Sequence, residues 1–229
     1  MSREHVWSDW INELAPGRKR FTKRGEKGEL LSEWSSLKLD VKARVVCTPC
    51  NNGWMSDIDG GAKEALSDLI AGKVDIVIDQ SRANSIALFC FKTAAVLDLI
   101  GLNHKPFFSA AERYAFRESR AIPTNVKMWM AGFSPVGKGN IHSASFAGST
   151  SPVNQFRTYV CTYAAGHFIF QLVAARTGRI FFPQQGFEPL AVPLWPSFRS
   201  FVWPPDLAIG SVQGFDSFSM RWKTVRIED

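Results

Sequence analysis

The sequence lacks the long apolar runs and the leader that mark membrane and secreted proteins. Its longest apolar stretches, Ile86–Phe91 and Ala94–Ile100, are separated by Lys92 and are well short of the ~18 residues that a membrane span needs. The chain opens with charge, Met-Ser-Arg-Glu-His, and shows no apolar signal core, so secretion is not expected. With 45% hydrophobic and 21% charged residues, the composition also excludes disorder as a description of the whole chain.

Cysteine is scarce as well. Four cysteines in 229 residues do not make a disulfide scaffold, and they favour a reducing, cytoplasmic location. Cys90 lies in an apolar helical segment and Cys161 in a β-like run, where a buried thiol is the commoner role. Cys47 and Cys50 are the pair with a candidate function.

Positive charge is concentrated near the amino terminus. The net charge is +6, and the stretch Arg18–Lys27 holds six cations and one anion. Clustered cations suit a polyanion partner, because each phosphate contact releases counterions. Taken alone, such a run is more often a solvated loop. Phe21 inside it is suited both to stacking on a base and to anchoring the loop in the core.

Residues 1–72 are expected to form a compact α+β unit. Ser8 is placed to cap a short helix through Leu14, and the basic loop follows. Apolar and polar residues then alternate over 37–45, which predicts a strand with one buried face. This strand runs directly into Cys-Thr-Pro-Cys-Asn-Asn-Gly-Trp at 47–54.

A helix is expected after this cysteine segment. Ser56 is the predicted N-cap, with Asp59 in the capping-box position, and the helix should end near Gly72. Its apolar residues recur at helical spacing and are Ile58, Ala62, Ala65, Leu66, Leu69 and Ile70. The predicted order is therefore strand, cysteine knuckle, helix.

Residues 73–122 are expected to be helical. Ser81–Ile100 is apolar on most faces, which predicts a buried helix ending at Gly101. Ser109 and Glu112 form a capping box for a shorter helix that ends near Arg120.

Residues 123–229 are expected to form a mainly antiparallel β region. Runs typical of strands, punctuated by turn residues, occur at Val126–Met130, Arg157–Tyr163 and Phe168–Ala174. The segment around Ala165 and Gly166 indicates a hairpin. The predicted fold class is α+β, with an N-terminal unit, central helices and a C-terminal β region.

Two short motifs resemble a known family. Glu4-His5-Val6 and Cys47-Thr-Pro-Cys50-Asn51-Asn52-Gly53-Trp54 together resemble the HNH endonuclease superfamily, in particular a bacterial branch with these motifs. The resemblance is close over roughly the first 70 residues. There the predicted strand, knuckle and helix match the family's ββα-metal unit. The remainder resembles the branch loosely, through segments such as 91–94, Phe-Lys-Thr-Ala.

The resemblance implies a metal-dependent site that hydrolyses DNA. Phosphodiester hydrolysis needs an activated water and positive charge near the phosphate and the departing 3′ oxygen. Mg²⁺ or another divalent ion can supply the charge, and a histidine that titrates near neutrality can accept the proton of the water. By resemblance, Glu4 is a metal ligand, His5 is the general base, and Asn51 is the final ligand at the helix start. The family's middle Asn has no counterpart in Val41–Arg44, and whether Asn52 or a cation replaces it in positioning stays open.

The expected partner is DNA, with no membrane involved, and a homodimer stays open. Phosphate contacts fix a protein on the duplex without reading its sequence, so no target site is predicted. The candidate DNA-binding residues are the cations of the basic loop and of the following strand, namely Arg18, Lys19, Arg20, Lys23, Arg24, Lys27, Lys42 and Arg44.

A structural zinc ion is incompletely supported. In many members of the family, the knuckle cysteines are half of a four-cysteine zinc site. The other cysteine pair lies just before the adjacent acidic residue and histidine of the first strand. Met1 lies three residues before Glu4, which leaves no room for that pair, and tetrahedral zinc needs four ligands. A shortened start, a site without zinc, and completion by other residues all stay open. We expect no firmly bound zinc at Cys47 and Cys50.

Two other functions compete with the nuclease. A non-catalytic nucleic-acid-binding protein on a degenerate HNH scaffold would explain the missing Asn and the missing cysteine pair. A thiol redox protein would use Cys47 and Cys50, although no thioredoxin-like βαβ pattern is present. The early tryptophans, Trp7, Trp10, Trp34 and Trp54, are interpreted mainly as core residues. His104 is expected in a loop and is assigned no role, and His142 and His167 fall in the β region, where a structural histidine is the commoner case.

Overall fold

The structure is a computed structural model that describes residues 4–5, 8–17, 19–24, 29–36, 42–43, 45–100, 106–134, 141–149, 157–176, 179–181, 190–196, 199–205, 208–221 and 226–228. Helices and mainly antiparallel strands are mixed along these residues, so the α+β class expected from the sequence is confirmed.

Six helices are found in the described residues. They are α1 Asp9–Leu14, α2 Thr48–Cys50, α3 Ser56–Ile70, α4 Gln80–Leu99, α5 Ala110–Ser119 and α6 Ser211–Met220. A π-helical segment, Asn51–Met55, connects α2 to α3.

Most of the strands belong to one large sheet. The strands are β1 Glu4–His5, β2 Lys19–Arg24, β3 Leu30–Ser36, β4 Lys42–Ala43, β5 Ile76–Ile78, β6 Val126–Ser134, β7 Ile141–Ser149, β8 Arg157–Ala165, β9 Phe168–Ala175, β10 Arg179–Phe181, β11 Ala191–Trp195, β12 Phe201–Trp203, β13 Ala208–Gly210 and β14 Arg226–Glu228. Eight of them form a sheet in the order β11-β6-β9-β8-β7-β2-β3, with β13 also on β6. The β2–β7 and β13–β6 pairs are parallel, and the other pairs in this sheet are antiparallel.

The sheet is covered on both faces, and strand β9 shows this most clearly. All eight of its residues are buried, and successive side chains of a strand point to opposite faces. Phe168, Phe170 and Leu172 belong to the apolar cluster that contains α3 and α4, whereas Ile169 and Val173 belong to the cluster that contains α6. The sheet is therefore the middle layer between α3 and α4 on one side and α6 on the other.

A buried polar contact fixes α6 to this layer. Gln171 on β9 is fully buried, and its Nε2 donates to Thr162 Oγ1 and to the Phe218 carbonyl, both at 3.0 Å. Its Oε1 accepts from Arg221 Nε at 2.6 Å. Burial lowers the pKa of Arg221 to about 10. The pairing of the Gln171 amide offsets the desolvation penalty that an unpaired buried amide would carry.

The turn between β8 and β9 packs on the end of α3. Gly166 has a φ of +53°, a backbone conformation that residues other than glycine rarely adopt. A Cβ on Gly166 would lie 2.1 Å from the Ile70 carbonyl oxygen, and the next residue, His167, donates its N–H to that same oxygen at 3.0 Å. Glycine is therefore required here both by the backbone conformation and by the close approach.

The helical predictions are largely confirmed. All six residues of the predicted α3 stripe are buried, and Ile70 is the last residue of the helix. The buried helix spans Gln80–Leu99, and the capping box of Ser109 and Glu112 is present in full. The β8–β9 hairpin turns at Gly166 as expected.

Two local predictions are wrong. Ser56 is not an N-cap, since the helical path already begins at Thr48 and Ser56 has helical backbone angles. Within the predicted basic loop, Lys19–Arg24 forms strand β2, because β7 and β3 pair with it on either side; residues 18 and 25–27 lie outside the described part of the chain. Helix α6 is an element that the sequence analysis did not predict within the mainly β region. None of the described helices is long and apolar enough to cross a membrane.

Candidate functional site

Strand β1, which carries Glu4 and His5, pairs with the strand that leads into the cysteine knuckle. The pairing with β4 is antiparallel, with Glu4 opposite Ala43 and His5 opposite Lys42. Cys47 follows Ala43 by four positions, so the chain passes from β4 almost directly into the knuckle and then into α3. The side chains of Glu4, His5 and Lys42 lie outside the described part of the structure. The backbone thus places the two predicted residues on the strand beside the knuckle strand.

The knuckle itself is the capped start of a helix. Cys47 has extended backbone angles and is the N-cap of α2, and its Sγ accepts the N–H of Cys50 at 3.3 Å. Its carbonyl accepts the N–H of Asn51 at 3.0 Å. Pro49 stands in the first turn, where its missing N–H costs no hydrogen bond. These contacts bring the Sγ atoms of Cys47 and Cys50 to 2.8 Å from each other.

The two thiols differ in exposure and in acidity. Cys47 is exposed and Cys50 is half-buried. A hydrogen bond from the Cys50 thiol, then the Cys50 N–H and the positive charge of Arg117, lower the pKa of Cys47. The hydrogen bond with the Cys47 thiol, together with partial burial, raises the pKa of Cys50. Cys47 is therefore the thiol that ionises first.

Asn51 and Asn52 lie in the π-helical segment between the knuckle and α3. Asn51 is half-buried and Asn52 is exposed. Gly53 interrupts the helical backbone with φ −104° and ψ −117°, which kinks the chain between the knuckle and the long helix.

An open groove of about 360 Å³ lies beside the cysteines. Its floor is apolar and includes Val46, Trp54, Phe91 and Val96. The charged residues among its lining are Lys92, Arg113 and Arg117, and no Asp or Glu lines it among the described residues. The groove therefore presents thiols, apolar surface and positive charge together.

The three cations of the groove differ in how they are held. Lys92 is 1% exposed and pairs with Asp59 on α3. Arg113 donates to the Phe108 carbonyl. Arg117 is 45% exposed and lies 3.4 Å from the carboxylate of its neighbour Glu118. Arg117 is thus the groove cation most accessible to an incoming anion.

Two of the predicted DNA-binding cations are engaged within the protein. Lys19 is 2% exposed, its Nζ donates to the Gly17 carbonyl at 2.7 Å, and burial lowers its pKa. Arg20 pairs with Asp216 and with Glu33, each at 2.9 Å. Strand formation turns these two side chains toward internal partners, which a solvated loop would not do.

The other predicted cations stay candidates. Arg24 is half-buried. The side chains that lie outside the described residues are those of Arg18, Lys23, Lys27, Lys42 and Arg44.

The tryptophan predictions are partly corrected. Trp10 and Trp54 pack against the core, as expected, whereas Trp34 is 45% exposed. The Trp34 ring stacks on the buried ring of Phe21, with centroids 5.3 Å apart. Phe21 therefore anchors β2 in the core, and Trp34 covers it at the edge strand of the sheet. Trp7 lies outside the described residues.

The described residues do not complete a zinc site at the knuckle. Tetrahedral zinc needs four ligands, and Cys47 and Cys50 supply two. Among the side chains that the structure describes, no group of three or more His, Cys, Asp or Glu residues could hold a metal. Cys90 and Cys161, the remaining thiols, are buried in the core.

Comparisons with protein-family models, with curated proteins and with solved structures find no match to this chain.

The arginines of α5 were missed as candidate site residues. Arg113 and Arg117 are four residues apart on a helix whose start is fixed by the Ser109 capping box, and residues at that spacing share a helix face. This spacing was the available signal. That the face points toward the knuckle follows only from the packing of α5 on the core through Phe116.

Proposed function

We propose that this protein is a metal-dependent endonuclease of the HNH type that hydrolyses DNA phosphodiester bonds. The observation that carries the proposal is the pairing of β1 with β4. It supports an arrangement in which Glu4 and His5 stand on one strand, the second strand runs into the knuckle, and Asn51 follows the knuckle within the helical path that begins at Thr48.

The proposed donor set is chemically suited to a hard divalent cation. A carboxylate from Glu4 and an amide oxygen from Asn51 are ligands that Mg²⁺ accepts. When bound, such an ion would stabilise negative charge on the phosphate and on the departing 3′ oxygen. These two residues are the proposed ligands, and the position of Asn51 next to the capped knuckle would hold its side chain in a fixed orientation.

His5 is the proposed general base. An imidazole with an ordinary pKa is largely neutral at cellular pH and can accept the proton of the attacking water. The water oxygen then bonds to phosphorus, and the bond from phosphorus to the 3′ oxygen breaks. His5 stands opposite Lys42 in the strand register, and Lys42 is a proposed phosphate contact.

The proposed phosphate contacts come from three parts of the chain. Lys42 lies in the knuckle strand and Arg44 follows it in sequence, and strand β2 contributes Lys23 and Arg24. Arg117 is far from these strands in sequence, but it lines the same groove as Cys47. It is therefore a further accessible cation. Contacts of this kind would give affinity without reading bases.

Nicking of supercoiled plasmid DNA tests the proposal. The wild-type protein should nick the plasmid in the presence of Mg²⁺ or Mn²⁺. His5→Ala should reduce the rate about 100-fold or more, the usual loss for a general base, and Glu4→Gln should also reduce it. His104→Ala is a matched control, since it removes a histidine assigned no role, and it should nick at the wild-type rate.

The competing function predicts a different result from the same assay. If no divalent ion supports nicking while the protein binds DNA in a salt-sensitive manner, the chain is a non-catalytic nucleic-acid-binding protein. Equal nicking by His5→Ala and wild type would contradict the assignment of His5 as the base.

A further inference from the structure

Cys47 and Cys50 are placed for chemistry with each other. A disulfide needs its sulfurs at ~2.05 Å, and the two Sγ atoms, both free thiols, already lie 2.8 Å apart. The two residues are separated by Thr48 and Pro49 in one capped turn, so a small movement of the side chains brings the sulfurs to bonding distance.

The pair is also accessible from one side. Cys47 is exposed and Cys50 is half-buried, and both line the groove. In thiol–disulfide exchange, an accessible thiol attacks first and a second thiol resolves the mixed disulfide. The difference in exposure assigns these roles to Cys47 and Cys50 respectively.

The groove beside the pair favours a negatively charged co-reactant. Arg117 lines the same groove as Cys47, and Arg113 stands one helical turn away in that lining. No carboxylate lines this groove among the described residues. An anionic disulfide would therefore be attracted to Cys47, and a cationic one would be repelled.

We infer that Cys47 and Cys50 form a thiol–disulfide exchange site that reacts with anionic low-molecular-weight disulfides such as oxidised glutathione. Cys47 loses its proton to water and attacks one sulfur of the small disulfide, and the departing thiolate takes up a proton. Cys50 then loses its proton and attacks Cys47 Sγ, which releases the second small thiol. The two protein thiols are oxidised to one disulfide, and one small disulfide is reduced to two thiols.

Mass spectrometry of the intact protein tests this inference. Reduced wild-type protein is mixed with oxidised glutathione, quenched in acid, and alkylated after unfolding. Two cysteines should become resistant to alkylation, and the peptide spanning residues 47–50 should lose two hydrogens. Cys50→Ser should instead accumulate a mixed disulfide with glutathione on Cys47, while Cys47→Ser should react much more slowly. Both positions are at the surface, and circular dichroism checks that each variant is folded.

The charge requirement is tested with two disulfides of opposite charge. Arg117→Gln should slow exchange with oxidised glutathione roughly three- to tenfold, the effect of one charge at a reactive site, and should not slow exchange with cystamine, which is cationic. Lys73→Gln is the control, because it removes a cation beyond the far end of the 15-residue helix α3.

Three results would overturn the inference. They are full alkylation of Cys47 and Cys50 after incubation with excess oxidised glutathione, absence of a mixed disulfide in Cys50→Ser, and stoichiometric zinc that protects both thiols in the purified protein. These readouts do not involve DNA, so they are independent of the nuclease proposal.

Discussion

Lys92 is a buried cation in the middle of the apolar helix α4. Its side chain is 1% exposed and contacts Asp59 on α3, which is 20% exposed. Its ammonium also lies 5.1 Å from the centre of the Phe89 ring, a cation–π distance. Removal of an ammonium from water is costly, and the carboxylate of Asp59 offsets that cost only while both charges are present. The pair therefore constrains how α3 and α4 meet.

Substitution of the two partners should have unequal effects on the free energy of unfolding. Asp59→Asn leaves the Lys92 charge buried without a carboxylate and should cost about 3 kcal/mol. Lys92→Met fills the same volume and leaves Asp59 partly hydrated, so it should cost about 1 kcal/mol or less. In urea unfolding, the double variant should be close to Lys92→Met alone. A loss in Lys92→Met as large as that in Asp59→Asn would contradict this explanation.

Helix α5 is fixed at its start by a capping box and a distant arginine. Glu112 accepts the N–H and the hydroxyl of Ser109, each at 2.7 Å, and pairs with Arg176 just after β9 at 2.6 Å. Burial opposes ionisation of Glu112, but the hydrogen bonds from Arg176 and Ser109 prevail and lower its pKa to about 2. One carboxylate thus closes a local cap and joins the helix to the sheet.

The low pKa of Glu112 makes part of the stability dependent on pH. A glutamate in an unfolded chain titrates near pH ~4.3, so this stabilisation is complete above that pH and is lost as the pH falls toward 2. Glu112→Gln should reduce the free energy of unfolding at pH 7 by roughly 1–2 kcal/mol, as expected for a cap and a charged hydrogen bond. It should also flatten the acid side of the stability curve. Glu118→Gln, on the same helix with a side chain that is 72% exposed, is the control and should leave the curve unchanged.

Sequence patterns predicted most of the helices, because capping boxes and apolar stripes depend only on residues that are close in sequence. The Ser109 box and the α3 stripe need only residues three or four positions apart. The predicted cap at Ser56 was wrong because Cys47 already caps the path, and thiols are not usual N-caps. Helix α6 was missed because its apolar residues Phe215 and Phe218 are separated by polar ones and follow a glycine, Gly214, which lowers helix propensity.

At the scale of the whole molecule, the sheet connects the two ends of the chain. Strand β2 pairs in parallel with β7, over a hundred positions later, and α3 and α4 pack on strands from the C-terminal region. Such pairings leave no local signature, so the strand at Lys19–Arg24 could not be separated from a basic loop by composition. For the same reason the strand carrying Glu4 and His5 was expected from resemblance alone, and its partner strand became visible only with the fold. The three expected segments, 1–72, 73–122 and 123–229, follow one another along the chain. The large sheet contains residues from the first and the third, and the apolar core contains residues from all three.

The contact between Arg20 and Asp216 gives a measurable test of that connection. The guanidinium meets both carboxylate oxygens of Asp216, at 2.9 and 3.2 Å, across 196 positions of sequence, and it also meets Glu33 on β3. Asp216→Asn should cost about 1 kcal/mol, or roughly fivefold in the opening equilibrium. Hydrogen exchange should therefore accelerate in peptides from both α6 and β2. Glu33→Gln removes a more exposed carboxylate, 44% exposed against 25% for Asp216, and should have a smaller effect. If Asp216→Asn accelerated exchange in α6 alone, β2 would not depend on this ion pair, and the two ends of the chain would be held together by the β2–β7 pairing and the apolar core without it.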